Sequence, residues 1–233
     1  MSSATSRLSA TRPRSLVPSA GISPQVRILV GAAMAFVAVS VLVGAGATRA
    51  LDRWTLGAAQ SFASPALDVL ASLVTLAGQA EITGIAALVL ATLGWRRDGP
   101  RGLVALLLFA GVAVEAGMKH FLPHTGPPSE LNRSMALLPF MRMHAPYAFP
   151  SGHMLRTTFL AGLLGMSPPS WILLVGLMAL TRIYLAAHWL SDVIGGFLLG
   201  QFLASLALEV RRRESANRRS WDQTGESPGA PFA

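Results

Sequence analysis

Apolar residues come in long blocks, and polar residues collect between the blocks instead of alternating at short amphipathic periods. Such clumping predicts membrane-crossing helices. The first block, residues 27–47, closes on Ala45-Gly46-Ala47, which resembles a signal-peptidase site. Block and leader are both long for a cleaved signal, so it reads as a retained signal anchor. The polar stretch 48–62, with Arg49, Asp52 and Arg53, is expected along the far interface. Residues 64–95 are apolar except at Gly78-Gln79-Ala80-Glu81. As helix they rise about 48 Å against about 30 Å per crossing, which makes one span whose first part is interfacial or broken. A charged turn at 96–101 leads into a third helix, 102–120. A long proline-rich loop, 121–150, precedes a fourth helix, 151–166, and a tight turn at 167–170. The last stretch, 171–210, is about 60 Å as helix, enough for two crossings, and must fold back near 184–188. The pattern predicts an all-α polytopic membrane bundle of six transmembrane helices spanning 26–210. A disordered tail, 1–25, and a polar tail, 211–233, flank it, both cytoplasmic.

Composition agrees with that picture. The chain is 52% hydrophobic and 13% charged, with a mean hydropathy of +0.50, apolar for a water-soluble domain. The net charge of +8 comes from arginines placed mostly at the ends of apolar blocks. No basic stripe with interleaved aromatics is present, so nucleic acid is not an expected partner. Twelve of the eighteen arginines lie in the two tails, in the 96–101 turn or, as Arg27, at the start of the first block. The positive-inside rule therefore puts both termini in the cytoplasm of a cell-membrane protein. The 121–150 loop and the 184–188 bend then share the extracytoplasmic face. Zero cysteines exclude disulfides and thiolate metal sites.

The residues able to do chemistry gather towards that face. Lys119 is the only lysine, and all five histidines fall between residues 120 and 188. Asp192 follows His188 by one helical turn. A carboxylate there accepts a hydrogen bond from one imidazole nitrogen, fixes the tautomer and leaves the other nitrogen free as a nucleophile. A buried structural His–Asp pair has the same spacing. Pro150-Ser151-Gly152-His153 opens the fourth helix, where Ser151 suits an N-cap and Gly152 lets backbone N–H groups approach an anion. His153 would stand over such an anion as a proton donor; ordinary helix starts also carry Pro-Ser-Gly. Lys119 and Arg182 each end a helix on the outer side, either as snorkelling cations or as a clamp on phosphoryl oxygens. Glu115 lies one turn before Lys119 and can pair with it.

Taken in order, these pieces resemble the type 2 phosphatidic acid phosphatase family, whose pattern is Lys-x6-Arg-Pro, Pro-Ser-Gly-His and Ser-Arg-x5-His-x3-Asp. Here the three read Lys119-x6-Gly126-Pro127, Pro150 to His153, and Thr181-Arg182-x5-His188-x3-Asp192. The resemblance covers about residues 60–205. It implies an integral-membrane lipid phosphatase acting through a phosphohistidine, with His188 as nucleophile, Asp192 as its orienter and His153 as the acid for the leaving alkoxide. Lys119, Arg182, Ser151 and Gly152 would hold the phosphate, without metal or cofactor. Gly126 stands where the family has arginine. Arg156, one turn after His153, is the first candidate to supply the missing cation; Arg133, Arg142 and His124 are others.

Two further functions fit the same residues. A phosphotransferase would pass the group to an alcohol, and a degenerate member would bind phospholipid headgroups without turnover. Retention of both histidines and the aspartate favours catalysis. The expected partners are a lipid phosphate substrate and membrane lipids, with the oligomeric state left open.

Overall fold

A computed structural model describes residues 22–137 and 146–224, with side chains as far as residue 216. Most of the 1–25 tail, Arg142, and residues 225–233 of the expected C-terminal tail lie outside the described residues. Among those described, all regular structure is helical: α1 Pro24–Gly44, α2 Arg49–Gln60, α3 Pro65–Thr75, α4 Ala80–Asp98, α5 Leu107–Phe121, α6 Gly152–Leu163, α7 Pro168–Tyr184 and α8 Leu190–Thr224. Three segments are long and apolar enough to cross a membrane by length and composition: Pro24–Gly44, Pro65–Phe121 and Leu190–Ala216. The chain is an all-α polytopic membrane bundle. Its six main members are α1, the broken pair α3–α4, α5, α6, α7 and α8, with α2 as a further helix beside them.

Helix starts follow from local sequence. Ser23 and Ser64 each accept an N–H bond from the third residue on, ahead of Pro24 and Pro65 at the first helical position. The break in the second span falls at a short 3-10 turn, Leu76–Gly78, with Gln79 extended before α4. The expected third helix is tighter at its start: Gly99–Leu106 is 3-10, and α5 begins only at Leu107. At the other end, α8 does not stop where the apolar run does. It continues through Arg211, Arg212 and Arg213 to Thr224, so the expected polar tail begins as helix. Glu209 supports this by pairing with Arg212 at 2.8 Å and Arg213 at 2.6 Å, one turn on.

The centre of the bundle is α6. Nine of its twelve residues are buried, and it packs most extensively on α8. Its short length is tolerated because protein, not lipid, surrounds it. The close approach needs glycine on α8: a Cβ at Gly196 would collide with the Ser151 carbonyl, and one at Gly200 with the Leu155 carbonyl. Small residues at helix contacts are how membrane helices gain packing where lipid competes for apolar surface. Leu108, Leu155, Phe159, Leu199 and Leu203 then join α5, α6 and α8. Met154, Val175, Met178 and Val193 join α6, α7 and α8.

Three contacts show which ends of the helices share a side. Ser23 donates to Glu209 at 3.0 Å, Arg101 pairs with Glu214 at 3.1 Å, and Arg211 with Asp98 at 3.3 Å. The start of α1, the 96–101 turn and the polar end of α8 therefore meet at one end of the bundle. The segment 122–137 and the turn after α7 meet at the other, where Arg133 N–H donates to the Leu185 carbonyl at 3.1 Å.

Candidate active site

At this second end, α5, α6, α7 and the α3–α4 break enclose a cavity of about 670 Å³ lined by Gln79, Lys119, His153, Arg156, Arg182 and His188, among others. Segments far apart in sequence thus converge on one hollow that is large for a single phosphate.

One wall is an ion network built on Glu115, which is 1% exposed. Its Oε1 accepts from Lys119 Nζ at 2.7 Å and its Oε2 from Arg156 Nη1 at 3.0 Å. Arg156 Nε donates to the Gly78 carbonyl at 3.0 Å, which ties α6 to the helix break. Glu115 both positions the lysine and is itself satisfied by two cations, as burial of a carboxylate demands. The same carboxylate explains Gly152, because a Cβ at that position would run into it. Arg156 also stands 3.5 Å from His153 Nδ1, while His153 Nε2 meets Gln79 Oε1 at 3.2 Å.

The opposite wall is the turn joining α7 to α8. The N–H groups of Ala187 and His188 both donate to the Arg182 carbonyl, at 3.1 and 3.2 Å. Ala186 takes φ +49°, a costly left-handed conformation for a residue with a Cβ. That turn directs His188 into the cavity from the loop, two residues before α8, not from the helix surface that spacing alone implies. His188 Nδ1 lies 3.2 Å from Asp192 Oδ2, which also accepts Trp189 N–H at 3.0 Å. With Nδ1–H directed at the carboxylate, Nε2 is the nitrogen left for the cavity. Burial, then the Arg182 and Lys119 charges, push His188 well below the usual imidazole value, which favours the neutral form a nucleophile needs. Arg182 lines the cavity, and its Nε makes no hydrogen bond with the described residues.

Lys119, Gly152, His153, Arg156, Arg182 and His188 all line the cavity, with Asp192 in contact with His188. Ser151 occupies the N-cap position of α6, but its side chain caps nothing. It is fully buried, is not part of the cavity lining, and its N–H donates to the Asp192 carbonyl at 2.9 Å. Two candidates for the missing first-motif cation are engaged elsewhere. Arg133 forms a two-pronged bond with Asp68, both contacts at 2.8 Å. His124 is buried beside Asp192 Oδ1, at 3.4 Å, away from the cavity. Arg156 is the candidate that reaches the cavity. Gln79 was legible only as a polar interruption in an apolar run, and Asp52 only as one acid in an interfacial stretch.

A helical membrane bundle that gathers two histidines, a dyad carboxylate and three cations around one cavity defines a class of oxyanion-handling membrane protein. A family model described as the PAP2 superfamily matches residues 100–216, which hold α5 to α7, most of α8 and every motif residue. The chain belongs to this superfamily of membrane lipid phosphatases. An undecaprenyl-diphosphatase from Sulfolobus acidocaldarius is 35% identical over 69 residues, 28% of this chain and 34% of that relative. The match thus spans about a third of the relative's length. Among solved structures, the fold is similar to the PAP2-type phosphatidylglycerolphosphate phosphatase from Bacillus subtilis, with a TM-score of 0.65 and 19% identity over 79% of this chain and 96% of that one. It is also similar to Aquifex aeolicus LpxE, with a TM-score of 0.54 and 20% identity over 68% and 95% of the two chains.

Proposed function

We propose that this protein is a metal-independent lipid phosphatase that cleaves a phosphomonoester or diphosphate at the extracytoplasmic face of the cell membrane, through a phosphohistidine on His188. The observation that carries this reading is the His188–Asp192 contact facing a cavity walled by Lys119, Arg156 and Arg182. His188 Nε2 attacks phosphorus, and Asp192 keeps the proton on Nδ1 and balances the positive charge that develops on the ring. The three cations neutralise the phosphoryl oxygens from positions already set by the fold, where negative charge develops in the reaction. His153 donates the proton that the leaving oxygen needs. It then accepts one from the water that cleaves the phosphohistidine. The lipid tail enters between apolar helices, and the headgroup meets the cavity.

The matched relative's name puts a polyprenyl diphosphate first among substrates to try, beside phosphatidate and phosphatidylglycerol phosphate. The test is phosphate release across that panel by purified protein in lipid. Wild-type release that persists in chelator and disappears in His188→Ala is expected. Undiminished release from His188→Ala would refute the phosphohistidine. Appearance of a phosphorylated alcohol, when one is supplied, would assign transfer instead of hydrolysis.

A further inference from the structure

Behind Asp192 lies a second set of buried polar groups that the mechanism above does not use. Asp52, on α2 and 2% exposed, accepts two bonds from Ser191: N–H to Oδ1 and Oγ–H to Oδ2, both at 2.9 Å. The hydroxyl proton of Ser191 is thereby committed to Asp52. The remaining face of that oxygen lies 3.4 Å from His124 Nε2, and the same nitrogen is 3.4 Å from Asp192 Oδ1. His124 Nε2 therefore faces two acceptors, so this nitrogen carries the proton. Burial lowers the His124 pKa, with Asp52 pulling it up and Arg49 lowering it further. At these distances no hydrogen bond from the described residues reaches Asp192 Oδ1, so His124 stands beside a buried acceptor without a donor.

We propose that His124 and Asp52 are positioning residues for the His188–Asp192 pair, holding the second oxygen of Asp192 through Ser191 and extending the dyad into a chain that ends on α2. The inference rests on the phosphohistidine reading. The chemical need is specific. A carboxylate fixed at one oxygen only can rotate about its Cβ–Cγ bond, or take the Nδ1 proton as positive charge develops on His188. A donor at Oδ1 opposes both. Asp52 reaches the imidazole only through Ser191 and does not touch the dyad. Asp52 lies outside residues 100–216, so the site is completed by a helix beyond the family-matched region.

The experiment compares full-length wild type, His124→Leu, His124→Gln and Asp52→Asn in lipid phosphate release, alone and combined with Asp192→Asn. His124→Leu and Asp52→Asn are expected to lower kcat about tenfold to a hundredfold, the range for residues that orient a reacting group's ligand, with KM within about threefold. His124→Gln, which can return an N–H to the same spot, should recover most of the loss. In the Asp192→Asn background, His124→Leu should cost no more than about twofold, since its target is gone. An equal loss in both backgrounds, or a raised KM at unchanged kcat, would overturn the proposal. If Asp192→Asn has no measurable rate, the glutamine rescue decides. If His124→Leu does not accumulate folded, wild-type kcat in Asp52→Asn is the overturning result. Activity that depends on His188 but ignores His124 and Asp52 removes only this inference; activity indifferent to His188 removes the reading beneath it.

Discussion

At the scale of single residues, the chain solves a charge problem with an unusual distribution. The family's first motif would place an arginine at position 126, and here Arg156 of α6 brings a guanidinium to the cavity wall, locked by Glu115 and the Gly78 carbonyl. Removing a donor of this kind from an oxyanion site costs about a hundredfold to a thousandfold in kcat, and Arg156→Gln is expected to fall in that range in a phosphate-release assay. Position 126 is exposed, and a Cβ there meets only Ala148 at an ordinary 3.5 Å. Gly126→Arg should therefore fold normally and restore part of the activity of Arg156→Gln. No gain in that double variant would show that the two positions serve different oxygens. The motif residues were readable from spacing. Their partners were not, because Glu115 meets Arg156 across 41 positions of chain and Gln79 meets His153 across 74, and only helix packing sets which of them touch.

At the scale of elements, two local devices position the site, and each has a test. The first is the start of α6, where Gly152 leaves room for the Glu115 carboxylate. Gly152→Ala is expected to displace that carboxylate from Lys119 and Arg156, with an overpacking cost of about 1–3 kcal/mol. It would be read as a lower thermal midpoint together with a rise in KM for the lipid phosphate. A midpoint unchanged from wild type would argue that α6 can shift without cost. The second device is the break between α3 and α4. Only there does the second span bring a polar side chain, Gln79, to His153. Gln79→Leu should reduce kcat with little effect on folding, since the helix break is already set by the 3-10 turn before it. The apolar pattern showed that the span was interrupted, because Gly78-Gln79-Ala80-Glu81 stands out in it. It did not show that the interruption points at His153, because a kink's direction depends on the neighbours it packs against.

At the scale of the whole molecule, the bundle has an arginine-rich end, held by Arg101–Glu214 and Arg211–Asp98, and a cavity end. Exposed pairs of this kind are worth only about 0–1 kcal/mol each, so they report the arrangement more than they maintain it. With no native cysteine to interfere, single-cysteine variants make sidedness directly measurable. Ser129→Cys should react with a membrane-impermeant maleimide in intact spheroplasts, and Arg97→Cys only after permeabilisation. Labelling of both from outside, or the reverse order, would overturn the proposed orientation. The long apolar blocks by themselves determined the helical class, the membrane setting and the number of main members. Twenty apolar residues in a row have few other stable states, since lipid satisfies no backbone hydrogen bond. The order and spacing of the motif residues likewise picked out Lys119, His153, Arg182 and His188, which the fold brings to one cavity. What only the tertiary structure decided is how they are held: Arg156 in the cavity and Ser151 outside it, His188 on a strained turn before α8, and Asp52 of α2 behind the dyad by way of Ser191 and His124. Those are contacts between helices distant in sequence, set by where glycine permits close approach and where buried charge finds a partner, and neither is written in any local period of the chain.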